Sequence, residues 1–179
     1  GHLIRAKLGP ITKHDTEFVA TAVMAQHNRK LPEDLKEFDT SYTLANVGRF
    51  RVSIFRQRGN LGVVMRVIPH QIGTFEQLNL PPALGRIAQV PNGLILVTGP
   101  TGNGKSTTLA SMMKYINDQF DYNIITIEDP IEFLFTSSKS CIIQREVGID
   151  TESFSVALRS AMRMNPDVIM VGEMRDLET

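Results

Sequence analysis

The sequence holds one cysteine, no tryptophan and only 7% aromatic residues among its 179 positions. A lone Cys141 excludes an intrachain disulfide and fits a reducing compartment, where it is expected to be a small core residue. Charge of one sign is missing too, since 19 Lys and Arg balance 19 Asp and Glu. Overall charge therefore recruits neither nucleic acid nor an anionic membrane by itself, and there is no basic, aromatic-rich track on which single strands could stack. No apolar run approaches the ~20 residues that cross a bilayer. The opening GHLIRAKLGP has neither the basic n-region nor the apolar h-region of an export signal, so a cytoplasmic chain without a membrane span is expected. Internal repeats and low-complexity segments are absent. The length suits one large domain or two small ones.

What is present centres on GPTGNGKST, residues 99–107. Gly99, Gly104, Lys105 and Ser106 meet the pattern G-x-x-x-x-G-K-[ST], which a chain of this size would show by accident about once in two hundred. The run Leu94-Ile95-Leu96-Val97-Thr98 before it reads as a strand buried on both faces of a parallel sheet. After it, Leu109, Met112, Met113 and Ile116 recur at spacings of three and four, which predicts a helix over 105–118. Glycines let the backbone turn its N–H groups inward, and the helix start adds unpaired donors and a positive dipole end. The loop Gly99, Pro100, Thr101, Gly102, Asn103, Gly104, Lys105, Ser106 and Thr107 is thus expected to cradle a polyphosphate. Lys105 would neutralise the β- and γ-phosphates, and the Ser106 hydroxyl would complete the coordination of Mg²⁺.

Two further strand ends carry acids. The run 123–127 leads into Glu128-Asp129-Pro130-Ile131-Glu132, and the run 168–171 delivers Gly172-Glu173. In open α/β sheets ligands lie beyond the carboxyl ends of strands, so both acidic ends should face the glycine loop. One carboxylate there can orient a water toward the γ-phosphorus and another can hold the water shell of the metal, the role expected of Glu173. The plain alternative for each is a solvated strand-exit turn. Arg175 and Asp176 could pair with each other.

The remaining pattern predicts a helix over 15–30, a short helix over 33–38 and strands over 41–45, 48–57 and 62–68, which make a small α+β domain. Residues 69–73 read as a linker, Thr74 to Gln77 as a capping box opening a helix, and 82–89 as a second short helix. Strand 94–98, helix 105–118, strands 123–128 and 141–147, helix 153–164 and strand 168–172 follow in the order of a mainly parallel three-layer α/β sheet. The expected division is 1–72, 73–92 and 93–179. Phosphoryl transfer also needs positive charge at the γ-phosphate, and the first domain offers Arg49, Arg51, Arg56, Arg58 and Arg66 on its strands and turns, without a pattern that selects among them.

GPTGNGKSTTLASM, ITIEDPIEF, QREVGIDTESFSVALRSAMRMNPDVIMVGEMRDLET and GRFRVSIFRQRG resemble the secretion ATPase superfamily, in its twitching-motility pilus retraction branch, from about Phe38 onward. The resemblance implies an N-terminal PAS-like domain and a C-terminal RecA-like core in a homohexameric ring. It also implies ATP and Mg²⁺ as ligands, a cytoplasmic place against the inner membrane and a pilus platform protein as partner. It assigns a catalytic role to Glu132, gives Glu173 to the metal and lets Arg51 and Arg66 reach the γ-phosphate. Relatives in type II secretion or pilus assembly are the neighbouring alternative, and a RecA-like nucleic-acid motor or a non-catalytic nucleotide-gated module the more distant ones. The family continues past Glu178-Thr179 into a histidine-containing box and a helical region and begins before His2, so a fragment is expected.

Overall fold

Thr12 opens the first helix. In the computed structural model, which describes residues 4, 6, 7, 9–69 and 71–174, α1 spans Lys13–Ala25 behind a capping box. The Asp15 N–H donates to Thr12 Oγ1 at 3.3 Å, and the Thr12 N–H donates to Asp15 Oδ2 at 2.7 Å. The helix stops short of the expected residue 30. Asn28 takes a left-handed φ of 56°, and the Arg29 N–H turns back to the Met24 carbonyl at 3.1 Å, closing the carbonyl end before Pro32 is reached.

The short helix expected over 33–38 does not form, because the Arg56 side chain takes the Glu33 and Leu35 carbonyls that a helix would use. Strand β1, Glu37–Leu44, follows instead. Its alternation places Phe38, Thr40 and Tyr42 opposite Ile54, Val52 and Phe50 of β2, Gly48–Gln57, in an antiparallel pair. β3, Asn60–Ile68, returns after a turn in which Arg58 and Gly59 both have positive φ, as a two-residue hairpin of matching twist requires. One face of this sheet, in the order β1-β2-β3, buries Val52, Ile54 and Leu61 against Ala20, Val23 and Met24 of α1. The unit so formed covers Gly1–Val67, and a second compact unit covers Ile68–Thr179.

In the second unit the Thr74–Gln77 capping bonds are made, at 2.9 and 3.3 Å, yet only a turn follows. Asn79, left-handed at φ 52°, ends it before Pro81 and Pro82. α2 spans Ala83–Ile87. The run 94–98 is not a strand: it joins no ladder, and Leu94, Ile95 and Leu96 are exposed. An apolar run shows a tendency to be buried, but a strand also needs a partner for its backbone groups. This run takes none, although the outer strands of the sheet each leave an edge open beside the paired central strand.

That central strand is β4, Asn123–Glu128, flanked in parallel by β5, Cys141–Glu146, and β6, Val168–Val171. α3, Lys105–Gln119, packs Met112, Met113 and Ile116 on the face carrying Ile124 and Met170. α4, Phe154–Ala161, capped by Ser153, packs Ala157 and Ala161 on the face carrying Ile125 and Ile127. Cover on both faces explains why β4 is buried from Ile124 to Glu128 and carries Ile124, Ile125 and Ile127 on its two faces. Cys141, expected in the core, is exposed at the first position of β5. No helix among the described residues is long and apolar enough to cross a membrane.

Candidate functional site

Gly99, Gly102 and Gly104 have φ of 147°, 83° and 82°. A Cβ at any of them would meet nothing within 4 Å, so it is backbone conformation rather than crowding that calls for glycine. Gly104 is also the N-cap of α3 and offers no side chain to its first turn. The N–H groups of that turn therefore remain available to an anion, and the helix dipole favours one there. Lys105 Nζ folds back over the loop and donates to the Pro100 carbonyl at 3.0 Å, while Thr108 anchors the turn through its N–H and Oγ1 on the Gly104 carbonyl at 2.8 and 2.9 Å. The donor set is one that suits the polyphosphate of a nucleotide: main-chain N–H groups, an ammonium, and the Ser106 and Thr107 hydroxyls.

Helix length decides where this loop lies. α3 has 15 residues and β4 has 6, about 22 Å and about 20 Å of rise, and only residues 120–122 join them. The helix thus runs back along the strand, which brings Lys105 to the end of the sheet where β4 and β6 finish. Glu128 ends β4 there, buried, and accepts from Thr126 Oγ1 at 2.7 Å and from the Glu132 N–H at 3.2 Å. Burial pushes its carboxyl above the usual 4.5, against the pull of those hydrogen bonds. Glu132 itself is exposed, just beyond the Asp129–Pro130 bond, which is cis.

β6 reaches the same end. Gly172 N–H donates to the Ile127 carbonyl at 2.8 Å, and a Cβ on Gly172 would come within 3.3 Å of Glu128 Cγ, so only a bare backbone passes there without displacing that carboxylate. Glu173 follows, half-buried. The start of α3, with Lys105 and Ser106, and the segments that follow β4 and β6, with Glu132 and Glu173, thus lie toward one end of one sheet. Sequence reasoning passed over Gln144 and Glu146, two polar residues at alternate positions of a strand that opens with the apolar pair Ile142-Ile143. That interruption was the available signal.

Arg51 and Arg66 lie in the first unit. Arg51 stands opposite Ser41 on the face of β2 turned away from Val52 and Ile54. Counting back from the Arg58-Gly59 turn sets it opposite Arg66 of β3, in keeping with the close approach of Gly62 to Phe55 four residues nearer the hairpin on each strand. Arg51 is half-buried and Arg66 exposed. Among the other candidates, Arg49 donates to Ser41 Oγ at 2.7 Å, and Arg56 is occupied with holding the 33–35 segment. Arg175 and Asp176 lie outside the described residues.

A parallel α/β sheet with a glycine-opened helix and acids at its carboxyl edge defines a phosphate-binding class. Within that class the chain belongs to the type II/IV secretion system protein family, whose model matches residues 7–179. It is 48% identical, over all of its length, to 52% of the type IV pilus retraction ATPase PilT of Pseudomonas aeruginosa. It is also 48% identical, again over all of its length, to 48% of a twitching motility protein of Neisseria gonorrhoeae. The chain therefore spans about half the length of the curated relatives it matches. Its mixed α/β fold matches a crystal structure of the pilus retraction motor PilT with bound ADP, at a TM-score of 0.85 and 53% identity over 92% of this chain and 48% of that one.

Proposed function

We propose that this chain is the nucleotide-binding part of an ATP-hydrolysing, Mg²⁺-dependent motor that powers type IV pilus retraction. The observation that carries the reading is the uncapped, glycine-opened start of α3 at the sheet edge that also presents Glu132 and Glu173. The retraction activity rests on the likeness to the two relatives. In this reading 1–72 is a PAS-like domain, 73–92 a connecting segment and 93–179 a RecA-like core. The working form is a homohexameric ring in the cytoplasm, against the inner membrane and a pilus platform protein.

The chemistry follows from the donor set. Residues 99–107 bind the phosphates through main-chain N–H groups, with Lys105 compensating charge on the β- and γ-oxygens. When bound, Mg²⁺ would draw off charge that develops on the phosphate oxygens; Ser106 would hold it directly and Glu173 largely through water. Glu132, exposed and close to the loop end of the sheet, orients the attacking water and accepts its proton. Arg51 and Arg66, side by side on one face of the first unit, stabilise the γ-phosphate in the transition state and lose that contact when phosphate leaves. ATP thereby shifts the population between two domain arrangements.

The test is Mg²⁺-dependent phosphate release by the full-length protein and its Glu132→Gln variant, with the mass of each in solution. Turnover in a hexamer, reduced about 100-fold or more in the variant with ATP binding retained, is the expected result. Tight binding without turnover in either protein would leave a nucleotide-gated interaction module instead.

A further inference from the structure

The face of the sheet beneath α3 changes character along its length. At the start of the strands it carries Ile124 and Ile142, which pack against the helix. Over the last two rungs of the β4–β5 pair it carries Thr126 opposite Gln144, then Glu128 opposite Glu146. Thr126, Glu128 and Glu146 are all buried, at 0%, 5% and 1% exposure. Buried polar groups of this kind are costly unless each finds a partner, so the question is where their hydrogen bonds go.

They go largely to the main chain of one short segment. The Ile131 N–H donates to Glu146 Oε2 at 3.1 Å and the Glu132 N–H to Glu128 Oε2 at 3.2 Å. Gln144 spans the next residues with both ends of its amide: Nε2 donates to the Phe133 carbonyl at 2.9 Å, and Oε1 accepts from the Phe135 N–H at 2.8 Å. The same Nε2 and the Thr126 hydroxyl both donate to Glu128 Oε1, at 3.2 and 2.7 Å, which ties the straps to one another. Residues 129–135 form neither helix nor strand. Their main chain is fixed by sheet side chains instead, and the one residue whose carboxylate is left exposed between these ties is Glu132.

We infer that Gln144 and Glu128, with Glu146, are positioning residues that hold the backbone on both sides of Glu132 and so fix its carboxylate over the phosphate edge. This rests on the reading of Glu132 as the group that orients water. Neither Gln144 nor Glu128 needs to touch nucleotide for this. A displacement of about 1 Å at a catalytic group can cost about 100-fold in rate, while phosphate binding by the loop is untouched. Removing Gln144 releases two main-chain ties and one to Glu128.

The experiment compares full-length wild type, Gln144→Ala, Glu132→Gln and the double variant for turnover and ATP affinity, with hydrogen exchange at the 131–135 amides. Gln144→Ala is expected to lower kcat about tenfold or more, to leave ATP affinity within about twofold, and to speed exchange at Ile131, Glu132 and Phe135. Added to Glu132→Gln it should cost nothing further, since it acts through Glu132. Glu128→Gln is a second variant of the same size: an amide has one acceptor oxygen where the carboxylate has two, so it must drop either Glu132 or the Thr126–Gln144 pair. Unchanged rate and protection in both variants overturns the inference while leaving Glu132 in its role. The same fold-loss with and without Glu132→Gln also overturns it, since the straps would then be merely structural. Full turnover in Glu132→Gln alone overturns the function assigned to Glu132, and with it this inference, even if the exchange data show the straps to be real.

Discussion

The two long helices of this chain begin in opposite ways. α1 starts on Thr12, in extended conformation, and its first turn is closed by the reciprocal bonds between Thr12 and Asp15. α4 is likewise capped, by Ser153 Oγ accepting from the Val156 N–H at 3.2 Å. α3 starts on a left-handed glycine with no side chain to offer. A side-chain cap contributes about 0.5–2 kcal/mol, and glycine in place of a residue with a side chain adds to the entropy lost on folding. α3 forgoes the first and accepts the second, and is held by the burial of Met112, Met113 and Ile116 instead. The difference separates a helix start closed by its own side chains from one whose N–H groups stay open.

Placing a carboxylate at the start of α3 is the strongest way to break this contrast. Gly104→Asp does so, and aspartate tolerates the left-handed region better than most residues, so the fold should persist. The same carboxylate occupies the position of a phosphate oxygen and repels the rest. We expect ATP affinity to fall at least about 100-fold, equivalent to about 2.7 kcal/mol, in a titration with fluorescent nucleotide. The thermal midpoint of unfolding should change by only a few degrees. Affinity retained within threefold would show that the open helix start is not where the phosphates bind.

How far these features were readable beforehand depended on whether a residue acts locally. The glycine loop and the bounds of β2 and β4 follow from neighbours in sequence, and each was legible. The caps Thr12 and Ser153 were not read, and the expected helices opened at 15 and 153 instead of 13 and 154. The straps of Gln144 and Glu146 were not, because their partners lie up to fifteen residues away and are main-chain groups, which carry no sequence signal. The run 94–98 is as apolar as β4 but lacks a ladder, and no local pattern distinguishes the two. At 33–38 the helical reading failed because a distant side chain, Arg56, takes the carbonyls. For the arginines, the hairpin turn made Arg51 and Arg66 countable as neighbours, yet only resemblance singled them out.

Opening α1 is the milder converse. Thr12→Ala removes the cap and should cost about 1 kcal/mol of stability, read as a lower urea midpoint with unchanged slope. ATP affinity should not move, because the cap serves only its own helix. A loss of affinity matching the loss of stability would mean that helix starts in this chain do not divide into structural and functional kinds.

The smallest expected effect concerns protons. Thr12 holds the Asp15 carboxyl below its usual 3.8, first through its hydroxyl and then through its N–H. A carboxylate whose folded value is lowered contributes stability that is present above 3.8 and is lost as pH falls through the folded value. Full exposure and solvent screening keep this contribution small. The stability gap between wild type and Thr12→Ala should accordingly be constant at neutral pH and narrow only below 3.8, and the Asp15 carboxyl in the variant should titrate closer to its ordinary value by NMR. The start of α3 has no carboxylate in its first turn, so nothing comparable should titrate there. If the gap instead stays constant down to strongly acidic pH, the box is not charge-assisted, and the two helix starts differ by a neutral hydroxyl cap alone.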